Sequence, residues 1–266
     1  MDKTSLGDRM KNNYEVRSRT FLTRRTPVIL RLDGKAFHTF TKSFEKPFSE
    51  LMNEAMRHTT KKLCEQIQGA KLAYTQSDEI TILLTDYDKL TTDAWFNYNV
   101  QKMCSVAASI ASAEFNKFML LEYFKEKSRT QYFGLSFGEY PSVDIDKDII
   151  KYIENNRLAV FDCRSFNIPR EEVCNNFVWR QQDWIRNSMQ MLAQSLYSHK
   201  ELHGKNQKDM HEMCFQKGHN WAKLEDKWKN GNTCIKSDNE WTFIEGVIFQ
   251  KDHTIINNLV NNKDYE

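Results

Sequence analysis

Two short stretches of the sequence put carboxylates where strands should end. The apolar run PVILRLDG ends in Asp33 and a glycine, and AYTQSDEITILL carries Asp78 and Glu79 in the middle of an apolar segment. Adjacent acids do not fit the centre of a buried strand, so we expect the chain to turn there. If both turns lie at one edge of a sheet, Asp33 and Asp78 form a hard-oxygen site that suits Mg²⁺. A pair of such ions supports phosphoryl or nucleotidyl transfer.

Several neighbours of these acids suit the same chemistry. Arg31 shares the Asp33 face of its strand and can orient that carboxylate, because side chains alternate at period two. Asp78 and Glu79 point in opposite directions in an extended chain, so we expect Asp78 to be the direct metal ligand and Glu79 either to support the ligands from behind or to bind a different metal. Solvated turns are the plain alternative, since Asp-Gly and Ser-Asp pairs are common in turns. Other groups able to contact phosphate or metal are Gly34, Lys46, Ser77 and Lys102.

The elements that would position these residues follow from the apolar periodicity. It predicts strands at 27–34, 71–76, 79–85 and 158–166, and helices at 49–67, 92–116 and 169–199. Their order is the ferredoxin-like β-α-β-β-α-β pattern. We therefore expect an α+β fold with an antiparallel sheet, helices on one face, and a mainly helical C-terminal extension. Further strands are expected at 132–138 and 242–250.

Composition indicates a globular protein from a reducing compartment. The chain has 266 residues, of which 40% are hydrophobic and 28% charged, with a net charge of +2. This balance excludes a uniformly basic, histone-like nucleic-acid binder and leaves basic patches open. The six cysteines form no CxxC pair, which favours reduced thiols. No apolar run reaches the roughly 18 residues of a membrane span, and the polar first residues lack a signal-peptide core. We expect a cytoplasmic protein with no membrane contact.

Six blocks of sequence occur in an order that resembles the tRNA-His guanylyltransferase superfamily. In order they read RLDGKAFHTF, KPF, AYTQSDEI, FDCRSF, WRQQDWIRNS and FQKGHNW. The resemblance implies a polymerase-palm catalytic domain that adds nucleotides to the 5′ end of tRNA in the 3′-to-5′ direction. It also implies ATP activation of a 5′-monophosphate and attack by the 3′-hydroxyl of an incoming nucleoside triphosphate such as GTP. Two Mg²⁺ ions and a homotetramer belong to the same expectation.

The resemblance assigns roles to individual residues. Asp33 and Asp78 match metal-binding acids, and the carbonyl of Gly34 completes the metal site. Glu79 matches an acid that is essential in the family, so the expected catalytic residues are Asp33, Asp78 and Glu79. The expected nucleotide-binding residues are Gly34, Lys35, Ala36, Phe37, His38, Lys46, Ser77 and Lys102.

Two departures from the family pattern concern the choice of RNA substrate. The segment Ile185–Ser188 stands where the eukaryotic enzymes carry a His-Ile-Asn-Asn-type segment, and Tyr98 and Asn99 replace two arginines. Both changes resemble the bacterial guanylyltransferase-like branch, which prefers template-directed repair of 5′-truncated tRNA over addition of one guanosine to tRNA-His. Base pairing then supplies selectivity, and contacts with the backbone of an A-form acceptor stem suffice. The expected tRNA contacts are Arg24, Arg25, Arg186, Asn187, Lys205 and Lys208.

The expected domain organisation divides the chain into three parts. Residues 1–140 form the first part of the palm, 141–200 complete it with a long helix, and 201–266 form a tRNA-contacting extension. Two other functions stay open. Another palm-type nucleotidyl transferase or cyclase would need no tRNA, and a non-catalytic tRNA-binding protein would bind RNA without Mg²⁺-dependent turnover.

Overall fold

The computed structural model describes residues 5–132 and 158–261, apart from the side chains of 124–132. The strands of these residues are β1 Val28–Gly34, β2 Ala70–Gln76, β3 Glu79–Leu84, β4 Phe161–Asn167, β5 Asn232–Ser237 and β6 Glu240–Ile244. They form one antiparallel sheet in the order β4-β1-β3-β2-β5-β6. Nearly all of the strand expected at 132–138 lies outside the described residues.

Nine helices belong to the same described residues. They are α1 Leu6–Met10, α2 Phe37–Phe40, α3 Glu50–Gln66, α4 Val100–Tyr132, α5 Arg170–Leu196, α6 His199–Leu202, α7 Gln207–Gln216, α8 Asp226–Asn230 and α9 Thr254–Val260. Short 3₁₀ or π turns occur at Lys11–Glu15, Val16–Ser18, Trp95–Tyr98 and Trp221–Lys223. Within the described parts of the chain, none of these helices combines the length and apolar character that crossing a membrane requires.

The pairing among strands β1 to β4 confirms the expected α+β fold class. β1 pairs with β3 and β4, and β3 pairs with β2, which gives the ferredoxin-like order 4-1-3-2. In the β1–β3 ladder Val28 lies opposite Leu84, and Asp33 lies opposite Glu79. The register therefore gathers the acids of both sequence stretches at one end of the sheet, which we call the acid end.

One face of the sheet packs against α3 and α4. Val28, Leu30 and Leu32 of β1 point to this face and are fully buried. Ser49 caps the N-terminus of α3, because its hydroxyl accepts a hydrogen bond from the backbone N–H of Met52. The two helices enclose the larger apolar core and fix the strands that carry the acids.

The opposite face is covered by α5 and by C-terminal residues. Ile29 and Leu83 point to this face and pack with Phe177 of α5 and Val260 of α9. The prediction of helices on one face therefore describes α3 and α4, and α5 with α9 forms an additional layer. Sequence analysis could have anticipated this layer, because VILRL is apolar on both faces of the strand.

The C-terminal residues extend the sheet as well as covering it. β5 pairs with β2, and β6 pairs with β5. The strand predicted at 242–250 is wrong beyond Ile244, because Gly246 adopts a φ of +73° and the chain leaves the sheet. Gln181 of α5 secures this region. Its Nε2 donates to the carbonyls of Asn230 (2.9 Å) and Val247 (2.8 Å), and its Oε1 accepts from the backbone N–H of Phe249 (3.0 Å).

Candidate active site

Two adjoining turns build the acid end. The backbone N–H of Gly34 donates to the carbonyl of Asp78 over 3.1 Å, which joins the end of β1 to the β2–β3 turn. Ser77 enters that turn with a φ of +49°, and its hydroxyl donates to Oδ1 of Asp78 over 3.0 Å. Because Glu79 lies opposite Asp33 in the ladder, the structure brings the three expected catalytic acids together.

Neighbouring groups only partly offset the cost of burying the charged carboxylates of Asp78 and Glu79 at the acid end. Burial raises the pKa of Asp78, the hydrogen bond from Ser77 opposes that rise, and the negative charge of Asp33 adds to it. Burial also raises the pKa of Glu79, while the positive charges of Arg180 and Arg31 oppose the rise. A bound cation would favour the ionised form of both groups.

A cavity of about 590 Å³, the large cavity, opens beside the acid end between the β1–α2 segment, α3 and α5. Of the expected site residues, Asp33, Gly34, Ala36, Phe37, His38, Lys46, Ser77 and Asp78 line it. Lys46 is held at the wall because its Nζ donates to the carbonyl of Thr41 over 3.1 Å. The sequence blocks RLDGKAFH and KPF therefore meet across one cavity.

Gly34 is required where the backbone passes Phe37. A Cβ at Gly34 would lie only 2.2 Å from Cδ2 of Phe37. The Phe37 ring is 4% exposed and packs against Phe115 and Phe161 at centroid distances of 5.5 and 5.1 Å. Phe37 thus shapes the cavity from the core, and its ring is not positioned to stack on a nucleotide base.

The far wall of the large cavity is aromatic. The rings of Phe48 and Trp228 stack at 5.0 Å with an interplanar angle of 12°, and Trp184 meets Phe48 edge-on at 6.4 Å. No acceptor among the described residues bonds the buried Nε1 of Trp184. Sequence analysis did not identify Phe48 as a site residue, although it is the last residue of the KPF block.

A second cavity of about 440 Å³, the polar cavity, lies beside the same acids toward α5. Asp33, Ser77 and Asp78 line both cavities. The polar cavity adds Arg31 and Asn187, and within the described chain the buried Nε of Arg31 has no acceptor. The acid end therefore stands between two spaces, each of which could receive a separate substrate group.

An ion-pair network closes the polar cavity. Nε of Arg180 donates to Oε1 of Glu79 over 2.7 Å, and Nη2 of Arg180 donates to Oδ2 of Asp183 over 2.6 Å. Asp183 also pairs with the exposed Arg186. Sequence analysis did not identify Arg180 or Asp183 as site residues, although both belong to the WRQQDW block. Their i, i+3 spacing on one helix is the signal that could have identified them.

Comparison with known proteins identifies the family. A family model described as "Thg1: tRNAHis guanylyltransferase" matches residues 7–169. The chain belongs to the Thg1 family. This confirms the resemblance carried by the six sequence blocks. Members of the family are nucleotidyltransferases, and membership supports 3′-to-5′ addition of nucleotides to tRNA.

Solved structures of Thg1-like proteins share the whole fold. A bacterial Thg1-like protein in complex with ATP is 41% identical, with a TM-score of 0.81 over 96% of this chain and 99% of that one. A bacterial Thg1-like protein in complex with GTP is 39% identical, with a TM-score of 0.75 over 97% of this chain and 99% of that one.

The tRNA(His) guanylyltransferase of Debaryomyces hansenii is similar in sequence. It is 30% identical over 172 residues, which span 64% of this chain and 54% of that enzyme.

The expected phosphate contact Lys102 lies far from the acid end. Lys102 is in the first turn of α4, exposed, with its Nζ 5.9 Å above the ring of Phe96. Phe115, which packs against Phe37, lies about 20 Å further along the axis of this helix. Helix α4 starts at the end of the sheet opposite the acids, because it follows β3, which begins at Glu79. The structure therefore does not join Lys102 to the large cavity of its own chain.

The expected tRNA contacts are spread over separate surfaces. Arg24 donates to Asp86 over 2.5 Å and to the carbonyl of Thr92 over 3.0 Å, so its guanidinium stabilises the loop after β3. The backbone N–H of Arg25 donates to the same Asp86 over 2.8 Å. Asn187 lines the polar cavity. The remaining predicted residues with exposed side chains are Lys35, Arg186, Lys205 and Lys208.

The oxygen donors at the acid end suit Mg²⁺ better than a metal whose ligands are all protein side chains. The described residues contain no group of three or more His, Cys, Asp or Glu side chains arranged around one metal position. Two carboxylates, Asp33 and Asp78, adjoin Gly34, and all three residues line the large cavity. Mg²⁺ keeps waters and shares phosphate oxygens with a substrate, so two protein carboxylates suffice for it.

Proposed function

We propose that this Thg1-family protein repairs 5′-truncated tRNA by template-directed, 3′-to-5′ addition of nucleotides. The observation that carries the proposal is the position of Asp33 and Asp78 between two cavities. Nucleotidyl transfer needs two substrate groups in contact with the same cations, one on each side of the reacting phosphorus. A single cavity would suit a nucleotide-binding protein, whereas two cavities that share their acids suit a transferase.

The large cavity receives the nucleoside triphosphate. Its volume falls within the range of about 300–1,000 Å³ that is usual for small-molecule sites. The stacked rings of Phe48 and Trp228 offer a flat surface for a base, and Lys46 with His38 offers cationic or polar contacts for the triphosphate. The ATP and GTP complexes of the bacterial Thg1-like proteins support this assignment.

The polar cavity receives the 5′ end of the RNA. Arg31 supplies an unused donor, and Asn187 and Arg186 lie where the predicted family segment departs from the eukaryotic pattern. Guanidinium groups bind phosphate through parallel hydrogen bonds. The charge of the RNA end is thereby held on the side of the acids opposite the triphosphate.

Two Mg²⁺ ions would be held by Asp33, Asp78 and the carbonyl of Gly34, and when bound they would stabilise the attacking and leaving oxygens. The chain itself orients the groups around them. Ser77 fixes the Asp78 carboxylate by its hydrogen bond, and the ladder fixes Asp33. Preorganised side chains need little rearrangement during the reaction, which lowers its barrier.

The enzyme acts as a homotetramer on the acceptor stem, with residues 201–266 contributing Lys205 and Lys208 to tRNA binding. Oligomerisation also gives Lys102 a role. Because Lys102 is distant from the acid end of its own chain, a phosphate contact by Lys102 requires a neighbouring copy. Affinity for tRNA should fall steeply with salt, since contacts to phosphate release counterions.

Template-directed extension is tested with a tRNA that lacks its first nucleotide. Incubation with the protein, Mg²⁺, ATP and GTP should lengthen the RNA at its 5′ end when the opposite base is cytosine. With uracil opposite, ATP should be incorporated in its place. The variants Asp33→Ala and Asp78→Ala should remain folded and lose extension.

Three results would contradict the proposal. The first is failure of the wild-type protein to extend any truncated tRNA. The second is incorporation of guanosine whatever the opposite base, which would indicate untemplated guanylylation of tRNA-His. The third is formation of a cyclic nucleotide without RNA, which would indicate a cyclase.

A further inference from the structure

We infer that Arg180 is a positioning residue that keeps the carboxylate of Glu79 out of the metal site. The inference rests on the proposed function for its catalytic consequence and on the ion-pair geometry for its structural basis. Arg180 lines the polar cavity, and both of its hydrogen-bonded carboxylate partners belong to this chain. It acts through Glu79, the third acid of the acid end.

Arg180 is immobilised by three contacts. Its side chain is only 7% exposed, and its two carboxylate partners, Glu79 and Asp183, accept at 2.7 and 2.6 Å. Its guanidinium carbon lies 4.2 Å from the ring centroid of Trp179. A guanidinium fixed by a ring and two acids has no freedom to follow a substrate. It therefore holds a carboxylate in one place.

Glu79 needs such a partner because of its neighbours. It lies opposite Asp33 in the ladder and next to Asp78 in sequence. Three carboxylates close together repel one another, and a free Glu79 could turn toward Asp33 and compete for a cation. The Arg180 contact directs Oε1 of Glu79 toward α5. The two acids that share both cavities are then left to bind metal.

A purely structural ion pair is a weaker explanation of this contact. A buried ion pair contributes little net stability, because desolvation of both charges offsets their attraction. The pair also lines the polar cavity, where apolar packing would seal α5 against the sheet at least as well. The linked ion pairs of Glu79, Arg180, Asp183 and Arg186 beside the proposed reacting position favour a role in the site.

The test combines a metal titration with steady-state kinetics. Arg180→Gln removes one positive charge beside the acids and releases Glu79. Mn²⁺ binding, followed by electron paramagnetic resonance without any nucleotide, should become tighter by about threefold or more, because an uncompensated carboxylate attracts the cation. In the extension assay kcat should fall by about tenfold or more, while KM for GTP stays within about twofold.

Further variants separate positioning from folding. Arg180→Lys keeps the charge but cannot bridge both acids, so its kcat should lie between those of wild type and Arg180→Gln. Glu79→Gln with Arg180→Gln should be no slower than Glu79→Gln alone, since Arg180 acts through Glu79. Lys71→Gln, which removes a 2.5 Å ion pair with Asp88 at the other end of β2, should change neither Mn²⁺ affinity nor kcat.

Two outcomes overturn the inference. One is an Arg180→Gln protein whose Mn²⁺ affinity and kcat both stay within about twofold of wild type. The other is a double variant whose loss equals the product of the two single losses, which would indicate independent roles. Should the wild-type protein fail to extend RNA, the proposed function is refuted, and the Mn²⁺ titration of Arg180→Gln and Arg180→Lys still decides the positioning of Glu79.

Discussion

Replacement of Gly34 by alanine tests how tightly the acid end is joined to the core. The added Cβ would lie 2.2 Å from Cδ2 and 2.5 Å from Cε2 of Phe37. The ring cannot move aside, because it is 4% exposed and packs against Phe40, Phe115 and Phe161. Either the aromatic cluster or the backbone after Asp33 must shift.

The expected magnitude follows from overpacking. Adding a methyl group to a filled core costs about 1–3 kcal/mol. For a chain of this size a loss of about 2 kcal/mol lowers Tm by about 4–8 °C. Asp33 precedes the altered residue, and a displacement of about 1 Å in a reacting constellation lowers the rate by about 100-fold. We therefore expect Gly34→Ala to lose far more activity than stability.

The assay pairs thermal unfolding, followed by circular dichroism, with 5′ extension of truncated tRNA. Phe37→Leu provides the matched control, because leucine removes the ring atoms that the new Cβ would meet. The double variant should be more stable than the sum of the two single losses by about 1 kcal/mol or more. Strictly additive losses, or an unchanged Tm in Gly34→Ala, would show that the contact is not the cause.

Three other substitutions probe the aromatic wall of the large cavity, the acid end and the hydrogen bonds of Gln181 to the C-terminal residues. Phe48→Ala should raise KM for GTP by about tenfold, because stacking on a base contributes about 1–3 kcal/mol. Burial raises the pKa of Asp78 above its ordinary value of 3.8. The folded protein therefore disfavours the ionised carboxylate, and the free energy of unfolding falls as pH rises from the unfolded-state pKa through the folded-state pKa. In EDTA, Asp78→Asn should therefore stabilise the protein more at pH 7 than at pH 3, as urea unfolding would report, and should abolish extension. Gln181→Leu should lower the free energy of unfolding by about 2 kcal/mol or more, since the buried carbonyl of Val247 and the buried N–H of Phe249 lose their partner.

Each of these expectations has a result that contradicts it. An unchanged KM for GTP in Phe48→Ala would show that the base does not stack on the aromatic wall. Equal stabilisation by Asp78→Asn at both pH values would mean that its charge is already compensated. A Gln181→Leu protein as stable as wild type would mean that the C-terminal residues find other hydrogen bonds.

The sequence was sufficient to predict the central sheet and the meeting of the acids. Alternation in VILRLD fixed which residues of β1 share a face, and the strand order then brought Asp33 to the turn at Asp78. These inferences needed only local periodicity and the geometry of antiparallel pairs. The prediction of the fold class, which the structure confirms, therefore needed only short-range rules.

Long-range pairing limited the rest of the prediction. β5 reads NTCIKS, which is too polar to predict as a strand, and it becomes one because β2 offers an edge to it. The role of Arg180 depended on α5 covering the second face of the sheet, a layer that the sequence analysis did not predict. Lys102 was assigned from its place on the long helix and from the family resemblance, whereas the topology puts the start of α4 at the end opposite the acids.

The pairing of β5 with β2 has a practical consequence for dissecting the protein. A fragment that stops near residue 200 would keep all four ferredoxin-like strands. It would also bare the main-chain hydrogen-bonding groups of Leu72–Thr75, together with the apolar surface that Phe249 and Val260 now cover. Uncovered strand borders of this kind recruit other chains and promote aggregation. The contribution of the C-terminal lysines to RNA affinity should therefore be mapped by substitution in the full-length chain, because deletion would confuse lost binding with lost solubility.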